Sequence, residues 1–156
     1  MKLDIGCGTM KHEGYIGIDA ISSPGVDIIH DVREGIPYDA GTIDGIWNQS
    51  FIEHLSFGEA KRFLMECYRV LKPGGELVTV TLNFVSICKK FISVDESLRW
   101  TGINYEFYGS QANEYEFHKS CYTKEFIARL LGEVGFKNIT VEDFTNVEVF
   151  IAKGTK

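Results

Sequence analysis

Short apolar runs bounded by turn residues punctuate the first half of the chain: KLDIG, YIGIDA, VDIIHD, IDGIWN and ELVTVTLNF. Their near-continuous Val/Ile/Leu character predicts strands buried on both faces, as in a parallel sheet. The period turns helical over Phe57–Lys72. There Phe63, Cys67 and Val70 fall at i, i+4 and i+7, with Leu64 and Leu71 beside them. Lys61, Arg62, Glu66 and Arg69 take the opposite face, which is the signature of an amphipathic helix. Pro73-Gly74-Gly75 is its expected stop, because proline cannot continue a helix. A second helix is predicted after a Thr123 cap, with Phe126, Ile127, Leu130, Leu131 and Val134 as its stripe and Gly135 as its end. NITVEDF and VEVFIAKG alternate around Thr145-Asn146, which predicts an antiparallel hairpin at the sheet edge. Between Val85 and Tyr122 lies a long aromatic and polar segment, with partial helix expected near Val85–Ile92 and Asp95–Trp100. Ordered insertions of that length often carry function.

The opening LDIGCGTMKHEGYIGIDA holds two strand patterns with only Thr9 to Gly14 between them. The next pair is joined by ISSPG alone. A parallel return normally takes about a dozen residues and a helix. Six extended residues still reach roughly 20 Å, enough to retrace a short strand. The pattern therefore predicts a parallel sheet whose first two crossover helices are reduced. Leu3, Ile5, Ile16, Ile18, Ile28 and Ile29 are expected on both faces of these strands. Short crossovers cannot cover both sides, so a homodimer through this under-covered half is expected.

Composition narrows the class without naming it. The 156 residues are 44% hydrophobic and 24% charged, ordinary globular values for one domain. A net charge of −6 and the lack of a Lys/Arg cluster disfavour a nucleic-acid surface. The apolar runs are strand-length, far short of a membrane span. Cys7, Cys67, Cys88 and Cys121 are scattered without a CxxC pair, so no metal site is expected. No signal-peptide pattern opens the chain, and the expected location is cytoplasmic.

Candidate chemistry gathers at the strand ends. Gly6 and Gly8 let the backbone turn tightly and a ligand approach it. A dinucleotide fingerprint needs GxGxxG opening a helix and an acid about 20 residues on. Here Met10 and Lys11 follow, and Asp19 comes too early, which argues against NAD. Asp19 closes the second strand, placed to accept both hydroxyls of a ribose, and Asp31 closes the third, placed to meet an adenine amino group. Either alone also reads as a turn acid. Their placement at successive strand ends is what carries weight.

LDIGCG, IGIDA, IIHDV, IDGIWNQSFIEHL and YRVLKPGGELVTV together resemble the successive motifs of class I S-adenosylmethionine-dependent methyltransferases. The resemblance covers roughly residues 2 to 84, extends to the closing helix and hairpin, and is finest with small, shortened type-11-like members associated with surface-glycan genes. It implies one Rossmann-like α/β domain over residues 1–156, with sheet order 3-2-1-4-5-7-6, strand 7 antiparallel, and 85–122 as an inserted acceptor-side segment. It also implies S-adenosylmethionine as cofactor, S-adenosylhomocysteine as product, and a small-molecule acceptor such as a sugar or glycan precursor. The cofactor contacts it carries over are Asp4, Gly6, Cys7, Gly8, Asp19, Ala20, Asp31 and Val32, with Asn48, Gln49 and Ser50 beyond the fourth strand. Met10 stands where many members have a third glycine.

Methyl transfer needs mainly alignment, with a base for some acceptors. Glu53-His54 is the nearest candidate pair, and His118 in EYEFHKSCY is the second candidate base. Each also reads plainly, as a helix approach and a surface histidine. Tyr105, Phe107, Tyr108, Tyr115 and Phe117 form an aromatic cluster that suits an acceptor pocket or simple packing. Two other readings keep the fold: a catalytically silent binding or structural subunit, and aminopropyl transfer.

Overall fold

The computed structural model describes residues 1–99 and 104–156. Seven strands form one sheet: β1 Lys2–Ile5, β2 Ile16–Asp19, β3 Ile28–Ile29, β4 Ile43–Gln49, β5 Leu71–Leu82, β6 Lys137–Phe144 and β7 Asn146–Thr155. Their order is β3-β2-β1-β4-β5-β7-β6, with β7 antiparallel to both neighbours. The helices are α1 Phe57–Val70, α2 Phe84–Ser93, α3 Glu96–Arg99, α4 Asn104–Tyr108 and α5 Lys124–Val134. Trp100, which ended the second partial helix expected in the inserted segment, lies outside the described residues.

Helix α1 begins with a capping box: Ser56 accepts from the Glu59 N–H while the Glu59 carboxylate accepts from the Ser56 N–H. It ends two residues short of the Lys72 expected from its pattern. Leu71 turns extended and pairs with Ile43. The N–H groups of Gly41 and Thr42 take the Arg69 and Val70 carbonyls at 3.0 and 2.9 Å, satisfying the helix end. Pro73-Gly74-Gly75 then sits within β5 as an irregularity, where the register jumps from Ile43↔Leu71 to Gly45↔Glu76. Thr123 caps α5 and Gly135 ends it in the left-handed region at φ 117°, as the pattern predicted.

One correction concerns the faces of the first strands. Leu3 pairs with Ile16 and Ile46, Ile5 with Ile18 and Asn48, and Ile18 with Ile28. Partners in register share a face, so Leu3, Ile5, Ile16, Ile18 and Ile28 lie together on one side, and Ile29 alone on the other. Leu3, Ile5 and Ile18 are buried there against the core that α1 and α5 supply with Phe63, Leu64, Cys67, Ile127 and Leu131.

The opposite face carries Asp4, Gly17 and Asp19, and two loops lie flat on it. A methyl group added to Gly17 would stand 2.5 Å from the Gly25 carbonyl and 2.7 Å from Cys7 Sγ. One added to Gly25 would stand 2.6 Å from the Gly8 carbonyl. Loop backbone thus packs on strand backbone because neither glycine has a Cβ. Hydrogen bonds replace the absent helices. Asp27 accepts from the Gly17 N–H at 2.8 Å and from Lys11 Nζ at 2.6 Å, and Ser23 Oγ donates to the Gly8 carbonyl at 2.6 Å. The face assignment removes one argument for a dimer through this half. Light scattering decides the oligomeric state: one chain's 17.6 kDa at micromolar concentration excludes the dimer, and a concentration-dependent doubling supports it.

Candidate active site

The carboxyl ends of β1, β2, β3 and β4 open onto one crevice with two lobes that share Gly6 and Ser50. The first lobe, about 160 Å³, is lined by Gly8, Asp19, Ala20, Asp31, Val32, Phe51, His54 and Tyr115 among others. The second, about 490 Å³, is lined by Asp4, Cys7, Met10, Lys11, His12, Trp47 and Gln49. Gly6 forms the sill at φ 68°, where a Cβ would stand 2.3 Å from the Phe51 ring. Ser50 adopts a left-handed φ of 48° although it is not glycine, a strained conformation of the kind that collects at functional sites.

Asp19 is anchored before any ligand arrives. Its two oxygens accept from the Gly8 and Ile21 N–H groups at 3.0 and 2.9 Å. A carboxylate has about four acceptor positions, so each oxygen keeps one for a hydroxyl. Asp31 is more committed: Arg33 Nε lies 2.9 Å from both its oxygens and Arg33 Nη2 2.5 Å from one. That guanidinium holds the Asp31 carboxyl below its usual range. The same guanidinium stacks over Tyr115, 4.9 Å from the ring centre. Arg33 and Tyr115, stacked on each other, both line the first lobe, and sequence reasoning missed Arg33. Its signal was modest: a cation two residues beyond a strand-end acid.

Asn48 differs from expectation. It is fully buried and turns into the sheet, where Nδ2 donates to the Val78 carbonyl and to Thr79 Oγ1 at 3.2 and 3.1 Å. Its position facing Ile5 puts it on the core side, so it lines neither lobe, while Gln49 and Ser50 do. The remaining carried-over contacts line one lobe or the other.

Glu53, His54 and His118 come together. The Glu53 carbonyl accepts from the Lys119 and Ser120 N–H groups at 2.8 and 3.1 Å, pinning the inserted segment to the turn after β4. The two imidazoles meet edge to face, centres 4.9 Å apart. His54 Nδ1 lies 3.3 Å from the Phe117 carbonyl and His118 Nδ1 3.0 Å from the Glu106 carbonyl. A carbonyl only accepts, so each Nδ1 carries the hydrogen and each Nε2 keeps its lone pair. Burial, and for His54 the neighbouring His118, lowers both pKa values and keeps the rings neutral.

Glu53 itself faces away from the crevice, into a small recess it shares with Thr81, Phe107, His118 and Tyr122. Thr81 Oγ1 donates to it at 2.8 Å, yet burial pushes its carboxyl up to about 7. The aromatic cluster divides. Phe107 packs edge-on against Phe84 and Phe91, Tyr115 meets Arg33, and Tyr105 and Tyr108 are exposed. Among the described residues no group of three His, Cys, Asp or Glu side chains is placed to hold a metal ion, and no helix is long and apolar enough to cross a membrane.

The family described as "Methyltransferase domain" matches residues 17–79, which run from β2 into β5. A sarcosine/dimethylglycine N-methyltransferase of Halorhodospira halochloris is 27% identical over 121 residues, covering 78% of this chain and 37% of that protein. A mitochondrial 2-methoxy-6-polyprenyl-1,4-benzoquinol methylase of Caenorhabditis elegans is 29% identical over 128 residues, covering 79% of this chain and 44% of that one. The chain thus spans less than half the length of either curated relative. An S-adenosylmethionine-dependent methyltransferase structure from Archaeoglobus fulgidus superposes with a TM-score of 0.70 at 17% identity, over 99% of this chain and 85% of that one. In its fold, its sheet order and the sequence of residues 17–79, the chain is similar to class I S-adenosylmethionine-dependent methyltransferases.

Proposed function

We propose that this chain transfers a methyl group from S-adenosylmethionine to a small molecule, with residues 85–122 on the acceptor side. The observation that carries the reading is the convergence of Asp19, Asp31 and the open backbone at Gly8 on one crevice. A Cβ on Gly8 would meet nothing within 4 Å; the space beside it suits a ligand lying against the backbone. When bound, the cofactor supplies a methyl group already activated on a sulfonium. Asp19 then holds the ribose hydroxyls, and Val32 with Arg33 and Tyr115 encloses the base. His54 Nε2 takes the acceptor's proton, with His118 fixing its ring. A sugar or glycan precursor rests on the resemblance alone. One relative is named for sarcosine and dimethylglycine and the other for a benzoquinol, so the acceptor is proposed no more finely than a small molecule.

Calorimetry with S-adenosylhomocysteine tests the reading, and Asp19→Asn is the informative variant. Asparagine keeps one acceptor for the backbone but loses the charge-assisted bonds, each about 1.5–3 kcal/mol. Affinity is expected to fall at least about tenfold. Asp19→Ala adds a stability cost, because the Gly8 and Ile21 N–H groups lose their partner. Unchanged affinity in Asp19→Asn removes Asp19 from the ribose site. No binding by the wild type favours the scaffold reading.

A further inference from the structure

Cofactor binding leaves the recess around Glu53 unaccounted for. Its volume is about 20 Å³, and Phe84, Ile87, Phe107 and Tyr122 supply apolar walls. That is room for one water-sized group. Two carboxyls line it, Glu53 from the turn after β4 and Glu106 from α4. Glu53 is 3% exposed, and its side-chain partner is the neutral Thr81 hydroxyl rather than a cation. Glu106 is divided. Its Oε1 accepts from Lys90 Nζ at 2.9 Å, while its Oε2 is buried with no hydrogen-bond partner among the described residues. Lys90 is itself shared, because Glu148 Oε2 also lies 2.9 Å from Nζ. Among the described residues Lys90 is the only cation paired with any of these three acids, so the group carries one positive charge against three carboxyls. His118 adds none, since burial lowers its pKa and keeps the ring neutral.

A buried acceptor without a partner calls for a donor, and the surplus of carboxyls calls for a positive one. A water would bring the hydrogen but no charge. A metal ion would need more oxygen ligands than the recess offers, and a guanidinium more room. A primary ammonium meets each demand: it only donates, it is about the size of a water, and it is attracted to aromatic walls. The recess also lies close to the proposed base. His118 lines it, His54 lines the first lobe, and the two rings stand 4.9 Å apart. We infer that Glu53 and Glu106 form a subsite for a primary ammonium, and that the acceptor of the proposed methyl transfer is a small molecule carrying that group. The acceptor half of the inference rests on the methyltransferase reading; the subsite itself does not.

Methylammonium chloride is the probe. Tetramethylammonium chloride at the same ionic strength is the control, because that ion has no N–H and is too large for the recess. Melting temperature is read at pH 8, where Glu53 is mostly ionised, on the wild type and on Glu53→Gln and Glu106→Gln. The amide oxygen of Glu53→Gln still accepts from Thr81 Oγ1, and that of Glu106→Gln from Lys90, so both variants should fold. The wild type is expected to melt roughly 3–6 °C higher in methylammonium than in the control, once the probe exceeds its dissociation constant about tenfold. In both variants that difference should largely vanish. A difference equal in all three proteins would place methylammonium elsewhere and overturn the inference. No difference in the wild type would leave the recess to a resident water only, and overturn it as well. Calorimetry with S-adenosylhomocysteine on the same samples keeps the two readings apart. If that ligand binds and methylammonium has no effect, the inference fails alone. If methylammonium acts on the wild type only and S-adenosylhomocysteine does not bind, the subsite is supported and its assignment to a methyl acceptor is overturned.

Discussion

Raising the pH from 4.5 to 7 is expected to cost the folded protein about 3 kcal/mol at a single side chain, Glu53. Its carboxyl titrates near 7 in the fold because burial disfavours the charge, against an ordinary 4.5. Between those values the folded state keeps a proton that the unfolded chain has released. Stability from this group is therefore full in acid and is lost as the pH climbs towards neutrality. Glu53→Gln removes the titration while its amide oxygen still accepts from Thr81 Oγ1. At pH 8 the variant should melt roughly 6–12 °C above the wild type, given about 2–4 °C per kcal/mol for a domain of this size. Below pH 4.5 the two should converge. Parallel melting curves across the whole range would mean that Glu53 is not kept protonated by its surroundings.

The second large effect lies at His54. His54→Ala should lower turnover of the methyl acceptor by about 10²-fold or more, the usual contribution of a positioned general base. Affinity for S-adenosylhomocysteine should change only a few-fold. The sign of the pH dependence follows from the lowered pKa of His54, caused first by burial and then by His118. With the neutral ring as the proposed base, the wild-type rate should be level at pH 7 and fall only in acid, below the ordinary imidazole value. That acid limb should be missing in the variant. A variant that keeps most of its rate would leave alignment as the whole mechanism. His118→Ala, by contrast, removes the ring against which His54 rests, and its smaller loss should come with a shift of the acid limb.

Much of this was legible in the chain. The apolar runs located the strands, and the helical stripes located α1 and α5 with their caps. Strand-end acids marked the first lobe because a parallel sheet delivers every carboxyl end to one edge. The spacing of Leu3 with Ile5, and of Ile16 with Ile18, also held the face assignment, since residues two apart share a side. What the chain did not disclose depends on distant partners. Arg33 meets Tyr115 only when the inserted segment folds back, and the burial of Glu53 depends on Thr81, which belongs to a later strand. Asn48 looked like a crevice residue by analogy of position, and one step of strand alternation turned it inward.

The shortened crossovers also bear on how the chain reaches its fold. Leu3 meets Ile16 and Ile18 meets Ile28, separations of thirteen and ten residues, whereas Leu3 meets Ile46 across forty-three. Closure entropy grows with the logarithm of loop length, and contacts between near neighbours in sequence favour fast formation. Parallel pairing is ordinarily the slow, long-range kind. Here β1, β2 and β3 pair almost as locally as a hairpin, but with few apolar groups of their own to hold them. They should form and dissolve rapidly until β4 and α1 arrive, and amide exchange at Gly17 and Asp27 should report that late locking.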